Sequence, residues 1–251
     1  MLAEAILWSG LILRPLILTR GYQSRMLSRY AWFYWYILSG FTADAVLYLL
    51  WGRYANLYWV FQFLTLAFGC GVLLEIFKHV LSPYPGAERF ARILLLMTFV
   101  VIFLFGLIYP HINTSLTATR SHVELERDVR TAQTIFFVAI LAVIFHYSIP
   151  RGKNMRGMMS GYGLYLCASL FTLTFRAYLG HGFDAIWRVL QPLFSSLTLC
   201  IWLYALWAYH PNPVPSTRIE LESDYEELAA LTKGRIDALR SHLGRSGHMR
   251  Q

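Results

Sequence analysis

Seven stretches of the chain, at about 2–19, 31–51, 57–80, 93–110, 130–149, 157–179 and 189–209, are apolar over enough residues to cross roughly 30 Å of hydrocarbon as helices. This pattern predicts an all-α membrane protein, a seven-transmembrane-helix bundle over residues 1–210 with a cytoplasmic tail over 211–251. The first stretch is short and contains Arg14 and Pro15. No basic segment precedes it and no small-residue cleavage site follows it, so it reads as a spanning helix and not as a signal peptide.

The polar positions between these stretches set an orientation. Arg20, Arg25, Arg29, Lys78, Arg89, Arg92, Arg151, Lys153, Arg156 and six basic residues of the tail fall on one side, fifteen in all, against five on the other. Lys and Arg are retained on the cytoplasmic side during insertion, which predicts an outside N-terminus and a cytoplasmic C-terminus. A bacterial cytoplasmic membrane is the expected location. Trp32, Tyr34, Trp59, Tyr109, Trp187 and Tyr209 sit near span ends, as interfacial aromatics do.

Composition sharpens the picture. Of 251 residues 57% are apolar and only 14% are charged, with a formal charge of +8. A soluble domain carries nearer one charged residue in four, so soluble, disordered and disulfide-framework classes are excluded. The basic balance does not point to nucleic acid, because its residues are divided among loops instead of forming one patch. Cys70, Cys167 and Cys200 have no partner spacing and read as small apolar residues.

Outside the spans, His111 to Val129 forms the longest outer loop, and its end can place Glu126 and Arg130 four apart on a helix entering the fifth span, as a solvated charged collar. Pro211, Pro213 and Pro215 end the seventh span. Ser223-Asp224-Tyr225-Glu226 is a capping-box pattern, followed by an apolar stripe of Leu228, Leu231, Ile236, Leu239 and Leu243. An amphipathic helix over about 223–243 is predicted. It has three possible uses: docking on its own bundle, lying on the inner leaflet, or binding a cytoplasmic protein partner.

Ionisable groups inside a membrane are costly and are usually paired or line a pathway. Depth along the predicted helices, at about 1.5 Å per residue, matches Asp44 with Arg176 near the outer face and Arg14 with Glu75 near the inner face. Two ion pairs are therefore expected, either holding helices together or bordering a polar cavity. Tyr165, Ser169, Thr172 and Arg176 recur on one face of the sixth span, and Gln191, Ser195, Thr198 and Trp202 on one face of the seventh. With Asp44 and Gln62 these stripes are expected to enclose an outward-opening pocket, although Ser and Thr also recur where helices pack closely. Gly157 and Gly161, four apart, with Gly163, read as close helix packing.

His79, His146 and His210 lie near span ends with no repeated spacing, which gives no reason to expect haem. No span holds a central lysine for a retinal Schiff base. Nucleophile-elbow, zinc-protease and Walker patterns are absent, so no catalytic residue, metal or cofactor is expected.

Leu74-Glu75-Ile76-Phe77, Ser82-Pro83-Tyr84-Pro85, the run Glu126-Arg127-Asp128-Val129-Arg130-Thr131-Ala132-Gln133 and the glycines at 157, 161 and 163 resemble a group of uncharacterised bacterial seven-span integral membrane proteins. The resemblance covers most of residues 30–208 and implies the fold but no activity. A weaker similarity is to seven-helix sensor modules of bacterial signalling enzymes; a signalling output here would need a separate partner. The functional expectation is a sensor-like or accessory protein. The alternatives are a small-solute or proton transporter and a structural subunit of a membrane complex.

Overall fold

The computed structural model describes residues 2–49, 54–112, 118–179, 183–210, 213 and 223–235, all of its regular structure being helical. Seven long helices follow one another: α1 (Leu2–Gln23), α2 (Ala31–Leu49), α3 (Tyr54–Leu81), α4 (Pro85–Ile112), α5 (Ala118–His146), α6 (Lys153–Leu179) and α7 (Asp184–Ala205). A further helix, α8, covers residues 223–235. Among the described residues three segments, Val60–Leu81 of α3, Leu125–His146 of α5 and Lys153–Phe175 of α6, are long and apolar enough to cross a membrane. The protein is thus an all-helical chain whose apolar helices fit a membrane-embedded protein in contact with lipid.

Consecutive helices pack antiparallel, and α7 returns to α1 to close a ring. Helix α4 sits outside that ring, against α3 and α5, which also touch each other. Its unshared face carries Ile93, Leu94, Met97, Val101 and Leu104 outward. The bundle has two ends. At the tail end α1, α3, α5 and α7 finish and α8 begins; the other is the far end.

Tail-end corners are closed by backbone bonds. After α1 the Met26 amide donates to Gly21 at 2.9 Å and the Arg25 amide to Tyr22 at 3.1 Å, with Arg25 at φ 55°. This is a Schellman closure. Ser148, at φ 48°, stands in the same place after α5, where the Ile149 amide reaches Ile144 at 3.0 Å. Met26 and Ile149, the residues that follow, are buried plugs. Pro85 opens α4 in the first-turn position, where its missing amide hydrogen costs nothing.

Close approach of helices depends on glycine. A Cβ on Gly157 would lie 1.9 Å from the Ala205 Cβ, and one on Gly161 only 2.3 Å from the Trp202 indole nitrogen, so α6 and α7 touch through these two positions.

Several boundaries differ from the sequence expectation. Helix α1 continues to Gln23 instead of ending near 19, and Pro15 lies within it without interrupting it. Most of the predicted outer loop from His111 to Val129 is helical, because α5 starts at Ala118 and the charged segment simply forms its first three turns. Helix α7 ends at Ala205, before the predicted 209, where the Leu206 amide closes back on Trp202 at 2.8 Å. The tail helix is described to residue 235; Ile236, Leu239 and Leu243 lie outside the described residues. Tyr147 donates to the Asp224 carboxylate at 2.9 Å, while Leu228 and Leu231 remain exposed. Docking of this part of the apolar stripe on its own bundle is therefore not what the structure shows.

Candidate functional site

Between the middle of the bundle and the far end, α1, α2, α3, α6 and α7 diverge around a cavity of about 240 Å³. Asp44, Gln62, Tyr165, Ser169 and Thr172 line it together with Arg14, Gln191, Ser195, Thr198 and Trp202. The polar stripes of α6 and α7 thus face one another across a single space.

The floor is aromatic. Trp202 rests over Gly161 and donates its indole N–H to the Met158 carbonyl at 3.2 Å, which fixes the ring. Phe33 meets it edge-on at 5.0 Å, and Tyr36 stands edge-on to both Trp202 and Tyr165.

Charge enters on the α1–α2 side. The Arg14 guanidinium pairs with the Asp44 carboxylate and also donates to the Gly40 carbonyl at 3.1 Å. Gly40 makes room for it, since a Cβ there would lie 3.3 Å from the Arg14 Nε. The expected pairing of Arg14 with Glu75 is therefore corrected, whereas that of Asp44 with Arg176 falls on a side chain outside the described residues. Because α1 runs on to residue 23, Arg14 lies about 13 Å above the tail end of its helix and Asp44 about 20 Å above that of α2, a difference an arginine side chain spans.

Glu75 has a different partner altogether. Its carboxylate accepts from the backbone amides of Phe33 at 2.9 Å and Trp32 at 3.4 Å, while it is buried between α3 and α2. Helix α2 has no acidic residue in its first turn and follows Tyr30, which offers no short side-chain acceptor. Glu75 supplies from a neighbouring helix the capping that α2 lacks in its own sequence.

Hydrogen-bonding state divides the lining into two groups. Thr65 and Thr172 donate back to the carbonyls of Phe61 and Ala168, at 2.8 and 2.6 Å, as hydroxyls inside helices commonly do. Gln62, Ser169, Gln191 and Ser195 have no side-chain bond to other described residues, and the Thr198 hydroxyl is buried with none. An unsatisfied buried hydroxyl costs about 1–3 kcal/mol, so it marks a place where something else can bind.

One residue beside the cavity departs from the sequence expectation. Arg130, expected in a solvated collar, is 1% exposed. It bonds to the Tyr165 hydroxyl and to Gln133 at 3.1 Å, keeps Glu126 at 3.9 Å as its charge partner, and lies 4.7 Å from the centre of the Tyr165 ring. Burial follows from spacing: Arg130, Gln133, Phe137, Ile140 and Ile144 recur three and four apart, a face that is buried along its length. That spacing was available in the sequence. Gln133 reaches α3 through the Leu66 carbonyl and Cys70 Sγ, at 3.4 and 3.3 Å, beside Gly69.

No family model, no curated protein and no solved structure matches this chain. The site is accordingly read from its own chemistry.

Proposed function

We propose that this is a seven-span protein of the bacterial cytoplasmic membrane, with its N-terminus outside, that binds a small polar molecule in the far-end cavity and acts as a sensor-like or accessory protein. The observation that carries the reading is the convergence of unbonded polar side chains from α3, α6 and α7 on one cavity next to a fixed ion pair. Seven spans are supported by the outward apolar residues on the remaining helices: Trp8, Ile12 and Leu16 of α1, Ile93 and Met97 of α4, and Leu193 and Leu197 of α7. Orientation rests on the fifteen basic residues assigned to the tail side. Exposed Leu228 and Leu231 on α8 support a cytoplasmic partner as the receiver.

Purified full-length protein in lipid nanodiscs, screened for thermal stabilisation by a library of small solutes, tests the binding step. At least one solute should raise the unfolding temperature of the wild type but not of Ser195→Leu, which fills the cavity. A library with no such solute would overturn the reading. Uptake of the stabilising solute into proteoliposomes would instead favour the transporter alternative, and deletion of 217–251 should leave such a flux intact while abolishing a relay.

A further inference from the structure

The chemistry of the cavity goes further than binding and narrows the class of ligand; the argument rests on the binding reading above. Charge comes first. Arg14 and Asp44 are the two charged residues among the described lining side chains, and they neutralise each other by direct contact. Arg130 is kept behind Tyr165 by Gln133 and Glu126. Among the described lining residues a fully charged ligand would therefore meet no free counter-charge, which is unfavourable.

Hydrogen-bonding character comes second. The unengaged groups are the hydroxyls of Ser169, Ser195 and Thr198 and the amides of Gln62 and Gln191. Each of these can both donate and accept. The complementary ligand group is one that also does both at a single atom, which is a hydroxyl. Phe61, Phe194 and Leu199 alternate with these polar groups around the wall and offer apolar surface to a carbon chain.

Size comes third. At about 30 Å³ per water, a space of 240 Å³ corresponds to roughly eight waters, the volume of a molecule with a four- to six-carbon frame.

We infer that the cavity is a site for a small uncharged polyhydroxylated molecule, a polyol or sugar-like compound, held by the hydroxyls of α6 and α7 and the amides of Gln62 and Gln191. Thr198 is its most buried contact. A ligand hydroxyl there gives the orphaned Thr198 hydroxyl the partner it lacks.

Saturation-transfer difference NMR on the full chain in nanodiscs tests this, with xylitol and mannitol as polyols, alanine as a zwitterion, propionate as an anion and tetramethylammonium as a cation. Saturation of at least one polyol above empty nanodiscs is expected, with affinity falling about fivefold in Thr198→Val and in Gln191→Leu, one hydrogen bond each. The three charged probes should show no saturation that depends on these residues. Variants are compared only after they elute as the wild type in size exclusion. If Thr198→Val elutes differently, Ser195→Ala takes its place.

A charged probe that is saturated and loses signal in the variants, with the polyols silent, overturns the ligand class while leaving the pocket reading in place. Polyol signals unchanged by the variants overturn the site. Silence from all five probes overturns the polyol inference, and the solute screen then decides separately whether the pocket reading falls with it.

Discussion

The two halves of the bundle use polar side chains in opposite ways. Toward the tail end several buried polar groups hold backbone, although the Tyr34 hydroxyl and Arg20 Nε are buried there without a partner: Glu75 takes the first amides of α2, the Tyr162 hydroxyl donates to Gly69 at 2.7 Å, and Asn154 donates to the carbonyls of Ala205 and Ala208. Asn154 also receives the His210 amide. Toward the far end one buried hydroxyl, that of Thr198, has no partner, and around the same cavity the half-buried Gln62, Ser169 and Ser195 and the exposed Gln191 make no side-chain bond to other described residues. A buried polar group satisfied by backbone is explained by folding alone, whereas one left without a partner calls for a ligand or a solvent-filled space. The comparison therefore separates polar groups that hold backbone from the unbonded ones on which the proposed site rests.

The comparison breaks most visibly at Asn154. Replacing it with leucine strands two carbonyls and one amide at the exit of α7, each previously bonded. A loss of about 3 kcal/mol is expected, read as a lower unfolding temperature in detergent. A change below about 1 kcal/mol would mean that the tail end does not depend on such bonds.

Glu75 is a sharper probe because two variants separate its roles. Glu75→Leu should lose about 2 kcal/mol by uncapping α2 inside the protein, whereas Glu75→Gln keeps an acceptor oxygen and should lose much less. If charge pairing with Arg14 were its role, the glutamine variant would be nearly as damaged as the leucine one. Arg14→Met would then also mimic both, which the contact of Arg14 with Asp44 argues against.

How far the sequence revealed these two halves depends on the kind of information each needs. Helical character and the polar stripes of α6 and α7 are periodic, and periodicity is local, so both were readable. Tyr165, Ser169, Thr172, Gln62 and Asp44 do line one cavity. The partner of Arg14 was not readable, because depth along a helix depends on where the helix ends, and four extra residues of α1 lift Arg14 to within side-chain reach of Asp44. The partner of Glu75 was invisible for another reason: it is backbone, and an unmet amide has no sequence letter. Arg130 is buried because it shares the helical spacing of Gln133 and Phe137, and Glu126, Gln133 and Tyr165 partner its charge inside the bundle. The described part of the tail helix starts at Ser223, with the capping-box pattern, but what its apolar face meets is not a property of its own residues.

The corners of the tail end yield a smaller effect with the opposite sign. Arg25 and Ser148 occupy left-handed backbone without being glycine, at φ 55° and 48°. An L residue gives up about 1–2 kcal/mol there, partly offset in glycine by its freer unfolded chain. Arg25→Gly and Ser148→Gly should each stabilise by roughly 0.5–1 kcal/mol, measurable as a higher unfolding temperature. Destabilisation would show that these side chains make contacts outweighing their backbone strain.

The smallest expected effect tests the hollow half directly. Thr198 is 1% exposed, yet its hydroxyl has no partner, so Thr198→Val removes an unsatisfied polar atom while conserving shape. Deleting a bonded hydroxyl at such a site usually costs about 1 kcal/mol; deleting an orphan should change stability by less than about 0.5 kcal/mol or raise it. The same substitution should still weaken ligand binding, because the valine can no longer bond to what enters. Stability unchanged and binding reduced is the combination that a structural hydroxyl cannot produce. A loss of 1 kcal/mol or more in the ligand-free protein would show that Thr198 already has a partner within the fold, and the contrast between the two halves would lose its most buried witness.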